Sequence, residues 1–176
     1  MKRLGAAAQT VLVEHGIRGE EFSYSVIAEG KNYHCFTSSQ DNKRGEVRDQ
    51  GKNTGGMGAH AHAFITRGLE ARIEQEIIAP ALNGLADEER PYIGILYLGG
   101  IVDEEGNPKV IEFNSRWGDP ECHVILPGIN NYASLVNAAI DGKLSTLTPK
   151  EDALYRVSIV AAAAGYPDNP AKGQRI

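Results

Sequence analysis

The chain has 176 residues, of which 41% are hydrophobic and 23% charged, and its formal net charge is −5. This length and balance indicate a globular domain with its own core. The net negative charge, without a block of basic residues, argues against nucleic acid as a main partner. No apolar run approaches the roughly 20 residues of a membrane-spanning helix, and two distant cysteines, Cys35 and Cys122, favour a reducing compartment. We therefore expect a cytoplasmic protein.

The first third of the chain predicts short strands separated by polar turns. Val11–Val13 is predicted to be a short buried strand, and Phe22–Ala28 and Tyr33–Thr37 are predicted to be two strands joined by a turn at residues 29–32. The polar, glycine-rich segment 38–58 is too long for a plain hairpin loop. Segments of this kind are often functional.

A helix is predicted from Thr66 onward, because Leu69, Ile73 and Ile77 recur at helical spacing on one face; Pro80 is expected to break or kink it.

The second half of the chain predicts a hairpin, a helix and a last strand. Gly94–Val102 and Lys109–Phe113 are apolar runs joined by a turn, which is typical of an antiparallel hairpin. Tyr132–Ile140 is predicted to be a helix, Pro149 a boundary, and Tyr155–Ala164 a strand. The predicted fold class is α/β of the α+β type, with a mostly antiparallel sheet flanked by helices.

The second strand of this hairpin carries a candidate metal site. Side chains alternate along a strand, so Val110, Glu112 and Asn114 are expected on one face, with Ile111 and Phe113 on the core face. A carboxylate and an amide oxygen two residues apart suit Mg²⁺ or Mn²⁺ bound jointly by protein and substrate phosphates. The alternative is an ordinary strand with one solvated face.

The turn that follows this strand combines one cation with two acids. Arg116 can donate two hydrogen bonds to a phosphate or an acyl phosphate. Residues 117–121 place Asp119 and Glu121 around a glycine and a proline that fix a rigid turn. Taken alone, a turn of this composition is common.

A glycine-rich loop is a candidate anion site, because its backbone N–H groups can converge on a ligand without interference from Cβ atoms. It comprises Asn53, Thr54, Gly55, Gly56, Met57 and Gly58. It matches neither a Walker A loop nor the Rossmann spacing, and a merely flexible loop is the alternative. His60 and His62 lack a third ligand at convincing spacing for zinc.

These segments, in this order, resemble the phosphoribosylamine–glycine ligase family of the ATP-grasp superfamily. The family's Gln-Asp-x-Lys-Arg and Pro-Asn-Thr-Gly-Gly-Met-Gly-Ala motifs appear at residues 40–44 and 52–59, and its Arg-Phe-Gly-Asp-Pro-Glu signature at residues 116–121. The match covers nearly the whole chain. It departs from the family where Lys52 replaces a proline and Trp117 a phenylalanine.

The resemblance implies a role for each candidate site. Adenine would contact the backbone of His15 and Ile17 in a hinge spanning residues 11–21, and Glu20 or Glu21 would hold the ribose. Mg²⁺ or Mn²⁺ would bind Glu112 and Asn114. Arg116 would stabilise the acyl phosphate, Asp119 would pair with an amine, and the glycine loop would bind a substrate phosphate or carboxylate.

The resemblance also implies a domain organisation and an activity. Residues 1–148 would form the C-terminal part of an ATP-grasp domain and residues 149–176 the beginning of a C-terminal domain, with the lid and an N-terminal domain upstream. We expect such a fragment to be inactive alone. The parent enzyme would use ATP to join glycine to 5-phosphoribosylamine through glycyl phosphate, in purine biosynthesis. Another ATP-grasp carboxylate–amine ligase, or a non-catalytic fragment, remains the alternative.

Overall fold

The computed structural model describes residues 9–48 and 50–175 and shows a mixed α/β chain built on one large sheet. The strands are β1 (Gly19–Glu29), β2 (Asn32–Cys35), β3 (Ser39–Asp41), β4 (Arg44–Glu46), β5 (Gln50–Asn53), β6 (Gly58–Ala61), β7 (Ile93–Asp103), β8 (Pro108–Asn114) and β9 (Arg156–Ile159). The α-helices are α1 (Glu70–Ile73), α2 (Ala79–Asp87), α3 (Cys122–Ile125) and α4 (Tyr132–Ile140). Single 3-10 turns lie at Phe64–Thr66, Leu126–Gly128 and Leu144–Thr146.

The seven-stranded sheet has the order β8-β7-β1-β3-β6-β9, with β2 also paired to β1; β4 and β5 form a separate two-stranded ribbon. Its centre is the long pairing of β1 with β7, whose register runs from Gly19 opposite Asp103 to Glu29 opposite Ile93. All pairings between these strands are antiparallel. The predicted fold class and the β7–β8 hairpin are confirmed.

Both faces of the sheet carry a hydrophobic core, which explains why β1 is buried at every position from 22 to 28. On one face, alternate β1 residues pack against the helical segment 70–87; the buried members include Phe22, Tyr24, Val26, Ile73, Ile78, Leu82 and Leu98. On the other face, α3 and α4 cover the sheet; the buried members include Ile27, Phe36, Ala59, Val124, Ile125, Leu135 and Leu144.

The predicted helix around Pro80 is present, but the proline does not break it. Helical structure runs without a gap from Glu70 to Asp87, and a π-helical turn at Glu74–Ile78 directly precedes the turn that contains Pro80. Because proline has no N–H group to donate to the preceding turn, a locally wider turn at this place is physically reasonable. Within the described residues, no helix combines the length and apolarity needed to cross a membrane.

Two sequence-based predictions differ from the structure. Val11–Val13 is not a buried strand: its side chains are 71%, 83% and 88% exposed and the segment has no regular structure. An apolar run is buried only where another surface covers it, and the described residues provide no such cover. The predicted strand Tyr155–Ala164 is shorter than expected, because only Arg156–Ile159 pairs with β6.

Candidate functional site

Strand β8 forms one edge of the sheet and brings Glu112 and Asn114 together. These residues lie opposite Gly99 and Tyr97 of β7. The Asn114 side-chain amide donates a hydrogen bond to Glu112 Oε1 at 3.1 Å. Gly99 makes room for the acid, since a Cβ there would lie 3.1 Å from Glu112 Cγ. Two oxygen-bearing side chains are therefore adjacent at the sheet edge.

A β-bulge changes the expected faces of this strand. Gly99 pairs with Glu112 but Gly100 pairs with Val110, which leaves Ile111 as the extra residue. Simple alternation placed Ile111 and Phe113 in the core; this is wrong, because they are 44% and 42% exposed. The bulge places Ile111 beside Glu112, where both line one narrow crevice.

The predicted adenine hinge borders a cavity of about 370 Å³ next to this crevice. Its lining residues are Glu14, His15, Ile17, Glu21, Ile101, Val110 and Ile111. The backbone candidates His15 and Ile17 thus face apolar side chains of β7 and β8, a combination suited to a flat, apolar ring with polar edges. Ile111 was missed as a site residue, because the bulge is invisible to a period-two pattern.

Of the two candidate ribose acids, Glu21 lies in this region and Glu20 lies beside it. Glu21 Oε2 accepts a hydrogen bond from Lys43 Nζ at 2.8 Å and lines both the adenine-side cavity and the crevice. Glu20 accepts a hydrogen bond from the Gln40 side chain at 2.9 Å and lines a neighbouring polar cavity of about 300 Å³. Glu21 is the better placed of the two.

In the turn after β8, Arg116 and Asp119 are exposed to solvent. The Arg116 guanidinium is exposed and donates to the carbonyl of Trp117 at 2.9 Å. The Asp119 side chain is 81% exposed and lies 3.9 Å from His123 Nδ1. Neither residue is among those lining the crevice. Trp117 packs against Phe36, with 5.2 Å between the ring centroids.

Glu121 was given no role from the sequence, yet it is the buried acid of this turn. It is 2% exposed, and its Oε1 accepts hydrogen bonds from Ser23 Oγ at 2.8 Å and Tyr97 OH at 2.7 Å. Burial and the Glu121 charge raise the pKa of Tyr97, so the hydroxyl keeps its proton and remains a donor. Glu121 thereby fixes the turn to β1 and β7.

The glycine loop uses its backbone N–H groups within the protein. Thr54 N donates to Lys43 O, Gly55 N to Tyr166 OH, Gly56 N to Thr54 Oγ1 and Met57 N to Asn42 O, at 2.8–3.1 Å. A ready anion nest needs free N–H groups, so the loop amides do not form one in this arrangement. Substrate binding by Asn53–Gly58 stays a prediction.

Asp41, at the end of β3, is a further residue that was given no role from the sequence. It lines both the crevice and the polar cavity, together with Lys43 and Glu21. Its Oδ1 is buried and has no hydrogen-bond partner among the described residues. Burial, followed by the charge of Glu121, raises the pKa of Asp41 to about 7, against an opposing effect of Lys43.

A metal bound here would depend on a second source of ligands. The described part of the chain contains no group of three or more His, Cys, Asp or Glu side chains that could hold a metal ion. Glu112 and Asn114 are two side chains that supply at most three hard oxygen donors. This set fits Mg²⁺ or Mn²⁺ shared with substrate phosphates, because Mg²⁺ is commonly held by one or two carboxylates plus phosphates and water.

A cavity of about 620 Å³ lies elsewhere, and neither Glu112 nor Asn114 lines it. Its lining includes Tyr24 of β1, Cys35 of β2 and Glu74 of the helical segment 70–87. The smaller crevice is the better candidate site, because Glu112, Lys43 and Asp41 line it together. Asn114 contacts Glu112 beside it.

Comparison with known proteins gives a consistent result. The family model described as phosphoribosylglycinamide synthetase, ATP-grasp (A) domain, matches residues 1–122. Phosphoribosylamine–glycine ligase of Ralstonia nicotianae is 42% identical over 99% of this chain, which corresponds to 42% of that protein. The Haemophilus influenzae protein of the same name is 43% identical over 98% of this chain and 41% of its own length. The chain thus spans about two fifths of these curated relatives.

Solved structures agree at the level of the fold. The phosphoribosylamine–glycine ligase of Thermotoga maritima superposes with a TM-score of 0.82 at 33% identity, covering 91% of this chain and 40% of that one. A biotin carboxylase from Campylobacter jejuni superposes with a TM-score of 0.58 at 14% identity, covering 89% of this chain and 33% of that one. The second likeness shows the fold alone.

Proposed function

The chain belongs to the family of phosphoribosylglycinamide synthetase ATP-grasp domains, and from this premise we propose that it forms the nucleotide- and metal-binding part of an ATP-dependent ligase that joins glycine to 5-phosphoribosylamine. The observation that carries the proposal is the Glu112–Asn114 pair at 3.1 Å, beside a crevice that also holds Lys43 and Glu21. The ligase would act in purine biosynthesis.

The nucleotide would lie along the sheet edge from the hinge to the crevice. Adenine would enter the cavity beside Ile111, where the backbone of His15 and Ile17 borders an apolar floor. Glu21 would then accept hydrogen bonds from the ribose hydroxyls. This order brings the phosphates toward Glu112 and Lys43, which line the crevice beyond Glu21.

Glu112 and Asn114 would hold Mg²⁺ or Mn²⁺ against the phosphates. When bound, the cation neutralises charge on the phosphates that are transferred and released. Asn114 presents an amide whose oxygen and nitrogen are assigned from hydrogen bonding, and a rotation of the amide would turn its oxygen toward the cation. Lys43 is fixed by Glu21 at 2.8 Å and would add a second positive charge beside the phosphates.

The chemical need for ATP follows from the acyl donor. A carboxylate is a poor acyl donor, so the γ-phosphate is first transferred to the glycine carboxylate, giving glycyl phosphate and ADP. The amine of 5-phosphoribosylamine then attacks the acyl carbon and phosphate leaves. Arg116 would stabilise the acyl phosphate, Asp119 would pair with an amine group, and Asn53–Gly58 would contact a substrate phosphate or carboxylate.

A substrate panel tests this proposal on the protein at its full natural length. ADP release would be followed with Mg²⁺ and a set of carboxylates, each with and without 5-phosphoribosylamine. We expect release that requires both glycine and the amine. Release with another carboxylate would favour a different ATP-grasp ligase, and ADP binding without release under any condition would favour a non-catalytic role.

A further inference from the structure

The burial of Asp41 lowers the stability of the fold, and the roles proposed for the neighbouring residues do not explain why an acid is placed there. Three buried side-chain atoms within the described ranges lack a hydrogen-bond partner: Ser25 Oγ, Ser39 Oγ and Asp41 Oδ1. Only Asp41 carries an ionisable group among these three. Leaving a carboxylate oxygen buried and unpaired costs free energy of folding, so its retention points to a role other than holding the fold together.

The neighbouring charges make Asp41 unlike an ion-paired carboxylate. Glu121 faces it from the turn after β8, Glu21 from β1 and Lys43 from the adjoining loop. Lys43 is held by Glu21 at 2.8 Å, and Glu121 is held by the hydroxyls of Ser23 and Tyr97. None of these groups is turned toward Asp41 Oδ1, which has no partner within the described residues.

The backbone beside Asp41 packs closely against that oxygen. A Cβ at Gly56 would lie 2.9 Å from Asp41 Oδ1 and would overlap the ring of Pro120. Gly56 adopts φ +121°, a conformation that favours glycine. The glycine loop and the turn after β8 therefore enclose Asp41 Oδ1, whereas the residue as a whole is only partly buried.

Asp41 stands between the two spaces that a reaction would need. It lines the crevice that contains Glu112 and the polar cavity that contains Lys43, Arg44 and Asn53. An acyl phosphate formed next to Glu112 and an amine entering through the polar cavity would meet at this carboxylate. No other carboxylate of the two spaces is free of an assigned partner or role, since Glu21 binds Lys43, Glu20 binds Gln40, and Glu112 contacts Asn114.

We infer that Asp41 is the catalytic base that accepts the proton lost by the amine nucleophile when it attacks the acyl phosphate. The inference rests on the proposed function. In this step the amine nitrogen forms a bond to the acyl carbon, the bond from that carbon to the phosphate oxygen breaks, and phosphate leaves with the electron pair. The proton from nitrogen passes to Asp41 and later to water.

The protonation behaviour of the neighbours supports this assignment. An effective base has a pKa near the working pH, and the pKa of Asp41 is about 7. Lys43 is a poorer candidate for the base. Burial alone would lower its pKa, but the hydrogen bond and the charge of Glu21 together outweigh this effect, so the pKa of Lys43 is raised. Lys43 therefore stays protonated and serves as a cation.

The test separates the two chemical steps in the protein at its full natural length. Hydroxylamine is reactive enough to attack acyl phosphates without help from a protein base, so glycyl hydroxamate reports formation of the acyl phosphate. Transfer to 5-phosphoribosylamine reports the step assigned to Asp41. The variants are Asp41→Asn, Asp41→Glu and Glu121→Gln, and the matched control is Asp87→Asn, an exposed acid paired with Lys31.

We expect Asp41→Asn to form hydroxamate at the wild-type rate while transfer to the amine falls by at least ~100-fold. The acid limb of kcat/KM should disappear in Asp41→Asn, return in part in Asp41→Glu, and move to lower pH in Glu121→Gln because a neighbouring negative charge is removed. Asp87→Asn should change neither step.

Normal transfer by Asp41→Asn would overturn the inference. So would the loss of hydroxamate and transfer together, because it would make Asp41 a positioning or folding residue. If the wild-type protein formed no ATP-dependent glycyl hydroxamate, the proposed function itself would fail, which is a different outcome.

Discussion

Gly56 and Gly55 allow a sharp test of how closely the glycine loop is packed. A methyl group at Gly56 would overlap Pro120 and lie 2.9 Å from Asp41 Oδ1, on a backbone with φ +121°. A methyl group at Gly55 would meet only the Tyr166 hydroxyl, at 3.4 Å, and the φ of Gly55 lies outside the positive range. Alanine should therefore destabilise the fold more at Gly56 than at Gly55.

For Gly56→Ala the unfavourable backbone conformation costs about 1–3 kcal/mol and overpacking costs another ~1–3 kcal/mol. The sum, roughly 2–6 kcal/mol, corresponds to a fall in Tm on the order of 10 °C for a chain of this size. Gly55→Ala should stay within about 0.5 kcal/mol of wild type. Thermal and urea unfolding of the 176-residue chain would measure both. Equal Tm values for the two variants would refute the close packing of Gly56 against the turn.

Three further predictions follow from the site and its edge strand. In the protein at its full natural length, Glu112→Gln should lower turnover at least ~100-fold and weaken the dependence of turnover on Mg²⁺. The control Glu104→Gln, on the exposed turn of the same hairpin, should change neither. Turnover is measured at limiting Mg²⁺, and near-normal turnover of Glu112→Gln would exclude the metal role. Phe113→Ala should lower the free energy of unfolding by less than about 1.5 kcal/mol, because Phe113 is 42% exposed, whereas Leu98→Ala in the core should lower it by roughly 2–5 kcal/mol. Urea unfolding compares the two variants, and equal losses of stability would contradict the exposed position of Phe113. Asp41→Asn should raise Tm, relative to wild type, more at about pH 8 than at about pH 5, and thermal unfolding at both values with Asp87→Asn as control would decide it.

The sign of the Asp41 effect follows from the direction of its pKa shift. The pKa of Asp41 rises from 3.8 to about 7 on folding. Between these two pH values Asp41 is therefore protonated in most folded molecules and ionised in most unfolded ones. Wild-type stability contributed by Asp41 is therefore fully present below the lower pKa and is lost as the pH rises through the upper one. Asparagine cannot ionise and removes this loss. A variant that gained no stability at the higher pH would show that Asp41 is better solvated than its surroundings indicate.

Elements with a strong local pattern were predictable from the sequence. The helix Tyr132–Ile140 has the predicted bounds, and the β7–β8 hairpin lies where apolar runs flank a polar turn. The contact between Glu112 and Asn114 also follows from spacing, because residues two apart on a strand share a face. In each case the signal lies within a few consecutive residues.

The remaining errors come from features that depend on residues far apart in the chain. Nothing in the Val11–Val13 run shows whether another surface covers it. The burial of Glu121 depends on Ser23 and Tyr97, which lie 98 and 24 residues away. The bulge at Ile111 had one available signal, the Gly99-Gly100 pair on the partner strand, because glycine inside a strand often marks a bulge or a close approach.

The same glycine pair meets different side chains on the two faces of the sheet. A Cβ at Gly100 would overlap the ring of Phe22 on one face, whereas a Cβ at Gly99 would crowd Glu112 on the opposite face. The face that carries Phe22 packs against the helical segment 70–87, and the opposite face carries a second hydrophobic core under α3 and α4. The opposite face buries Glu121 and the unpaired oxygen of Asp41 next to Glu112. Because such burial lowers the free energy of unfolding, chemistry at this face depends on the stability that the two hydrophobic cores supply.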